Sequence, residues 1–482
     1  MSFGLWVALF FPQFPLQVLA RGLAEDQAVA VSDPTGPRTT VLARNHAARA
    51  AGVWSGMAAT AAQALCRTLL ILPRNTGAES TELANLAAWA GQFTPNVALS
   101  PPEGILLEIA GSLRLFGGVE ALKCRIHQGG EAMGYEVALG TAATPLGAWW
   151  LAKAGREDLC PLDAPALREC LAPLPVTLLE LPRESLERLE ALGLRTLGDC
   201  LAQPRAGLVR RFGTICIDLL DRALGLQPDP RPWYVPPELF ESRLELSLET
   251  GDTEGLLFPL RRLLVELEGF LRGQGAGVTA FDLLCHHRGQ PSTRLSVGLL
   301  SVTRDSGRFF LLLRERLERA QLPAPVEALT LQADALLLYQ PANLGLFPDP
   351  AEGREHWTVL LERLRARLGT EAVHVLSPVA DRRPERAWRV AEGDSETTAV
   401  PLSQRPLWLL PAPRPLPASQ DQPRLGGPLE LLAGPERIEA GWWDGRPAGR
   451  DYFVARNARG ESYWIFRQHG QTRRWFLHGV FA

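Results

Sequence analysis

The chain has 482 residues, 46% of them hydrophobic and 21% charged, with a formal net charge of −3. At roughly 150 residues per domain this excludes a single compact core and implies about three or more globular units. The near-neutral charge excludes bulk capture of nucleic acid or membrane by a global positive field. Lys123 and Lys153 are the only lysines among 50 basic residues, so chemistry that requires an amine has two candidates.

The seven cysteines, at positions 66, 124, 160, 170, 200, 216 and 285, include no Cys-x-x-Cys pair. They read as free thiols in a reducing compartment, and neither a metal nor any other cofactor is assigned. The apolar start, from Met1 to Phe11, lacks a basic region and is broken by Pro12 and Pro15. It reads as a first strand, buried on both faces, rather than a signal peptide. No apolar run reaches the ~18 residues of a membrane helix, and a soluble, cytoplasmic protein is expected.

In chain order, a helix is expected from Leu16 to Leu23, strands from Ala28 to Ala43 around a turn at 33–36, and a helix from His46 to Ala51. Amphipathic helices at 80–91 and 118–134 flank a strand from Gly104 to Ile109, so residues 1–165 read as α/β, with a smaller subdomain at about 20–75. Residues 166–232 are almost wholly helical, and a proline-rich joint spans Pro228 to Pro237. Residues 238–338 run strand, helix, two strands, helix, strand, which is the ferredoxin-like succession. A tether at 339–350, a partly ordered proline-rich region at 351–428 and an aromatic β module at 429–482 complete the chain.

Six collinear pieces carry a family resemblance. They are Gly52-Val53-x-Ser55-Gly56-Met57, Leu113 to Gly118, Leu139 to Ala142, Ser100 to Gly104, Arg382 to Trp388, and the terminal group Gly441 to Gly445, Arg450 to Phe453 and Trp475 to Gly479. The chain resembles Y-family translesion DNA polymerases, and more closely the polymerase-like subunits of bacterial damage-inducible mutasomes, which act in the SOS response. The resemblance implies an α/β and α+β multidomain fold: palm and fingers, a helical thumb with a helix-hairpin-helix-like element, a ferredoxin-like little finger, a proline-rich linker and a small aromatic β module.

Two-metal nucleotidyl transfer needs shared carboxylate oxygens at neighbouring strand ends. Here the matching positions are Phe10 and Pro12 on the first strand and Glu103-Gly104 on its neighbour, so Glu103 alone remains and is read as vestigial. The triphosphate grip is reduced as well. His46 and Arg49 stand for a tyrosine and an arginine, Pro145 and Trp149 stand for two lysines, and Lys153 is either a substitute or an exposed helix lysine. A catalytically inactive polymerase-like protein is expected; the alternative is a residual translesion polymerase using Glu103.

Weak, non-specific binding of primer-template or damaged DNA is assigned to Gly193, Arg195 and Gly198 in the hairpin-like element. Arg210, Arg211, Arg261, Arg262 and Arg288 join them, provided the little-finger arginines segregate to one sheet face; His286 and His287 read as solvated or DNA-facing. If the hairpin is only structural, its glycines serve packing. Asn343, Leu344, Leu346 and Phe347 resemble the Gln-Leu-x-Leu-Phe pentapeptide that binds the β sliding clamp, with apolar anchors on a proline-flanked strand. The resemblance further implies an ImuA-type RecA-like partner and an error-prone DnaE-type DNA polymerase, for which Trp442, Trp443, Tyr452 and Trp475 are candidate contacts. The competing reading is that these aromatics form the core of the small sheet.

Overall fold

The computed structural model describes residues 4–20, 23, 26–34, 38–340, 350–391, 405–470 and 473–481. Part of the turn expected at 33–36 and the whole clamp-like segment 343–347 lie outside the described residues. Two compact units emerge, Met1–Arg367 and Leu368–Ala482.

The first unit opens with β1 (Trp6–Phe10), α1 (Phe14–Leu19), β2 (Val29–Asp33), β3 (Thr40–Arg44), α2 (His46–Ala50), α3 (Ala59–Leu65), β4 (Leu70–Pro73) and α4 (Thr76–Ala90). It continues through β5 (Val97–Ser100), β6 (Gly104–Glu108), α5 (Leu113–Phe116), α6 (Val119–Ala132), β7 (Ala138–Ala142) and α7 (Pro145–Lys153). The main sheet has the order β5-β6-β1-β7. As expected, β1 is buried on both faces: Val7 and Leu9 enter one core, Ala8 another. Strands and helices interleave as the α/β expectation has it. Every ladder of this sheet is antiparallel, and the one parallel pair in the region joins β2 to β4 in the small sheet β3-β2-β4. An apolar run buried on both faces does not reveal strand direction, because helices can cover both faces of either kind of sheet.

Helices α8 (Ala164–Leu171), α9 (Arg183–Ala191), α10 (Leu197–Leu201), α11 (Arg205–Phe212) and α12 (Ile215–Ala223) share one core with α7 through Trp150, Leu167, Leu189, Leu197 and Leu220. The proline-rich joint that follows is pinned: Trp233 stacks on Trp6 with ring centroids 5.8 Å apart, and Tyr234 N–H bonds to Val97 O at 2.7 Å.

Next come β8 (Phe240–Thr250), α13 (Thr253–Gly273), β9 (Ala276–His287), β10 (Gln290–Thr303), α14 (Ser306–Leu317), β11 (Val326–Ala333), β12 (Leu336–Leu338) and α15 (Pro350–Leu368). The element succession is the expected one, but the sheet order β10-β9-β11-β8 is not ferredoxin-like. The last long strand, β11, lies between the first two, where the ferredoxin-like arrangement places the third. The succession alone does not distinguish the two orders, since each crossover helix can return the chain to either open edge.

Helix α13 packs on α4. Trp89 sits where a Cβ on Gly269 would approach its ring to 2.2 Å, and one on Gly129 to 2.3 Å. Beside this notch Arg262 is 5% exposed and bonds Glu82 at 2.8 Å and Glu266 at 3.5 Å. Tyr135 Oη donates to Glu82 at 2.5 Å. Such a cluster holds only while every charge has its partner. Helix α15 returns onto the same unit, where Glu362 binds Arg308 at 2.6 and 2.7 Å and accepts the Leu300 N–H at 2.6 Å.

The second unit contains β13 (Val375–Pro378) and β14 (Trp388–Ala391), which pair, then β15 (Trp408–Leu416), the short pair β16 (Ala418–Ser419) and β17 (Gln422–Pro423), β18 (Glu430–Ala440), β19 (Ala448–Arg456), β20 (Ser462–Gln468) and β21 (Trp475–Val480). A five-stranded antiparallel sheet runs β15-β21-β20-β19-β18. The module therefore begins before 429, because part of the expected linker supplies its edge strand. Pro411, Pro413 and Pro415 are tolerated in β15 because an edge strand leaves one side of its backbone unpaired.

Candidate functional site

The ends of β1 and β6 bring the expected catalytic positions together. Phe10 pairs with Gly104, and Phe11 N–H bonds to Glu103 O at 3.0 Å. Among the described residues, no group of three or more His, Cys, Asp or Glu side chains could hold a metal ion. The Trp149 ring lies edge-on to Phe10, with centroids 5.6 Å apart, and a Cβ on Gly104 would sit 2.1 Å from Trp149 Cζ3. Lys153 Nζ lies 3.6 Å from Glu103 Oε1 and 2.7 Å from Glu180 Oε1, and it is 5.4 Å from the centroids of both Phe10 and Trp149. Lys153 is thus neither a solvated helix lysine nor an open phosphate ligand. Its ammonium lies beside Glu103, the carboxylate retained at the matching positions.

Burial pushes the Glu103 carboxyl upward, and Lys153 opposes that shift. Of the matching positions, Phe10, Pro12 and Gly104 provide no side-chain oxygen, and the Lys153 ammonium lies beside Glu103. The surrounding cavity, about 440 Å³, is also lined by Arg222, Asp229 and Arg231. His46 and Arg49 stand exposed on α2.

The hairpin-like element does not present free amides. The N–H of Arg195 and of Thr196 bond to Asp199 Oδ2 at 2.9 and 2.8 Å, that of Leu197 to Leu174 O, that of Gly198 to Ala172 O at 2.8 Å, and that of Asp199 to Thr196 Oγ1. The amide of Gly193 bonds to Glu190 O. Assignment of Gly193, Arg195 and Gly198 to a phosphate through their backbone is therefore corrected. Gly198 is a packing glycine, since a Cβ would approach Ala172 O to 2.9 Å. Arg210 and Arg211 are exposed on the last turn of α11.

In residues 238–338 the arginines do not segregate to one sheet face. One exposed sheet face carries Arg243 and Arg294 against Glu241, Glu245 and Asp282, with pairs at 2.8 Å (Arg243–Glu245) and 3.4 Å (Arg294–Asp282). Arg261 and Arg262 belong to α13, on the opposite side of the sheet; Arg261 lies over the Phe310 ring, and the buried pairing of Arg262 removes it from any DNA contact. Arg288 pairs with Glu249 at 3.2 Å. His287 is buried against Thr293, and His286 bonds to Thr330 and Ser292, so neither is simply solvated.

The second unit contains a network that sequence reasoning did not foresee. Arg383 forks onto Asp444 at 3.0 and 2.7 Å and onto Asp381 at 2.6 Å, and Arg386 joins Asp444 at 2.5 Å. Arg450 bonds Glu385 at 3.0 Å and Tyr452 Oη at 3.0 Å; Tyr452 Oη and His478 Nδ1 are 2.7 Å apart. The available signal was the repeated pairing of arginine with acids across the separate motifs at 382–388, 441–445 and 450–453. Arg383 holds the Asp444 carboxyl down at about 2, while burial pushes Tyr452 up to about 12. Tyr452 Oη accepts from Arg450, and it shares a hydrogen bond with His478 Nδ1.

Tyr452 and Trp475, at 1% and 3% exposure, are core residues, which corrects their assignment as partner contacts. Tyr452 stacks on Trp464 with centroids 4.1 Å apart. Trp442 and Trp443, by contrast, are 80% and 58% exposed on the loop that Asp444 fastens to Arg383.

Burial depresses His478 to about 4. The folded value lies below the ordinary ~6.5, so the contribution is complete above that pH and is lost as pH falls toward the folded value. Urea unfolding of this unit is expected to show a loss of roughly 2–3 kcal/mol between pH 7 and 4.5. His478→Phe should flatten that slope, and an unchanged slope would refute the assignment.

Comparisons with known proteins agree with the motifs. A family model described as "IMS: impB/mucB/samB family" matches residues 7–153. "Protein ImuB" of Caulobacter vibrioides (strain NA1000 / CB15N) is 29% identical over 458 residues, covering 89% of this chain and 100% of that protein. "DNA polymerase IV" of Dehalococcoides mccartyi (strain CBDB1) is 26% identical over 237 residues, covering 48% of this chain and 60% of that protein. Among solved structures, DinB from Sulfolobus solfataricus aligns over 70% of this chain and 100% of its own, with a TM-score of 0.39 and 17% identity. The chain is a homologue of Protein ImuB, and its residues 7–153 carry an impB/mucB/samB domain.

Proposed function

We propose that the chain is a non-catalytic, Y-family polymerase-like adaptor in damage-induced translesion synthesis and mutagenesis. It docks on the β sliding clamp, touches primer-template or damaged DNA weakly, and recruits an error-prone DnaE-type polymerase and an ImuA-type RecA-like protein. The observation that carries this reading is the single carboxylate, Glu103, left at the matching strand ends, with the Lys153 ammonium set beside it and bonded to Glu180. Exposed Arg210 and Arg211 support DNA contact through phosphates alone. The exposed indoles of Trp442 and Trp443, on a fastened loop, support protein recognition.

The clamp-like motif at 343–347 lies outside the described residues; the assignment rests on the likeness of Asn343, Leu344, Leu346 and Phe347 to the clamp-binding pentapeptide. Before it, β12 pairs with β9, and Tyr339 N–H bonds to Gly275 O; after it, α15 is anchored by Glu362 on Arg308. Several weak contacts on one chain can raise avidity by about 10²–10⁴.

Leu346→Ala combined with Phe347→Ala is expected to weaken binding to immobilised clamp by at least about 2 kcal/mol, with thermal unfolding unchanged. Undiminished binding would overturn the clamp assignment.

A further inference from the structure

Two cavities of about 530 and 550 Å³ run along α13 and share Glu268, Arg272 and Arg304, so they form one groove. One end is walled by Phe93, Leu115 and Phe116, the other by Leu311, Tyr339 and Val359. Leu115 belongs to the motif Leu113 to Gly118, to which the adaptor reading gives no role. It is 79% exposed at the groove mouth, an unusual position for a large apolar side chain beside an open cavity.

The charges in the groove are unevenly committed. Glu268 is taken by Arg272 and by the Ser306 hydroxyl, and Asp305 caps α14 by accepting the Gly307 N–H at 2.9 Å. Arg308 is held by Glu362. Arg125 and Arg304 have no carboxylate partner among the described residues. Their guanidinium groups rest on the rings of Phe116 and Tyr339, 5.3 and 4.2 Å from the centroids. The lining thus has four arginines against two carboxylates, both already engaged, in a chain whose net charge is −3. Guanidiniums backed by aromatic faces keep their outward N–H groups free for a fork onto a carboxylate.

We infer that this groove docks a peptide segment of another protein, acidic and carrying aliphatic or aromatic anchors. Apolar side chains would enter beside Leu115 and Phe93 at one end and beside Val359 at the other, while carboxylates meet Arg125 and Arg304. Carboxylate chemistry is favoured over a nucleic-acid backbone because the guanidiniums are flanked by apolar walls at both ends of the groove, Phe93, Leu115 and Phe116 at one and Leu311, Tyr339 and Val359 at the other, which suit side-chain anchors better than sugar and phosphate. The site lies outside the strand-end cavity and the clamp motif, so its failure would leave the adaptor reading untouched.

The test is fluorescence anisotropy on the full chain with a short fluorescein-labelled peptide in which Asp and Glu alternate with Leu and Phe. Saturable binding is expected, and Arg125→Glu with Arg304→Glu should weaken it by at least about 10-fold. Leu115→Ser, a substitution at an exposed position, should weaken it by about 5-fold, with unchanged melting and unchanged clamp binding. A lysine-for-acid version of the peptide should not bind, and an unlabelled single-stranded oligonucleotide should not displace the acidic one. The inference is overturned if the double variant binds within about 2-fold of the parent, if the lysine peptide binds equally, or if the oligonucleotide displaces the peptide.

Discussion

Replacing Gly104 by glutamate, the change that would rebuild an acidic pair at the end of β6, is expected to destabilise the chain by about 3 kcal/mol or more rather than restore a metal ligand. The reason is local. The new Cβ would fall 2.1 and 2.3 Å from two carbons of the Trp149 ring and 3.1 Å from Leu9 O. Trp149 is 7% exposed within the core shared by α7 and the helical region, so moving its ring disturbs that packing. The added carboxylate would also be buried between aromatic rings, with Lys153 already committed to Glu103 and Glu180. Urea unfolding measures the loss. Combining Gly104→Glu with Trp149→Ala should cost less than the sum of the two single changes, since the second removes the clash created by the first. Strict additivity would show that Trp149 is not what closes the site.

Much of the architecture was legible because periodicity reports burial directly. The long apolar stripe of α13, the alternation in β9 and the doubly buried run of β1 all fold where the pattern places them. Sheet order was not legible. Pairing β11 between β8 and β9 leaves every side-chain alternation as it would be in the ferredoxin-like order. Prolines misled at β15, since a proline-dense stretch reads as linker unless its place at a sheet edge is known.

At the strand ends, the residue types at positions 10, 12, 103 and 104 could be read from sequence, but the role of Lys153 could not. Its partner Glu180 is 27 residues away, and only the packing of α7 against the helical region brings the two together. Arg262 shows the same limit. A charged residue on an amphipathic helix reads as exposed, and its burial against Glu82, 180 residues distant, follows from the fit of Trp89 against Gly269. The aromatic cluster at the C-terminal end divided between the two readings, with Tyr452 and Trp475 in the core and Trp442 and Trp443 left outside.

Primer extension tests the account most directly. A two-metal reaction requires oxygen ligands that can hold both cations and bring the attacking and leaving oxygens into line. Of positions 10, 12, 103 and 104, Glu103 alone supplies a side-chain oxygen, and the Lys153 ammonium lies 3.6 Å from it. The loss of activity should therefore be complete rather than partial, and a softer cation such as Mn²⁺ should not recover it, because the missing element is ligand number rather than affinity. The purified full chain, incubated with primer-template, nucleotides and Mg²⁺ or Mn²⁺, is expected to give no extended product, indistinguishable from Glu103→Ala. Extension by the parent chain that is abolished by Glu103→Ala would contradict the account.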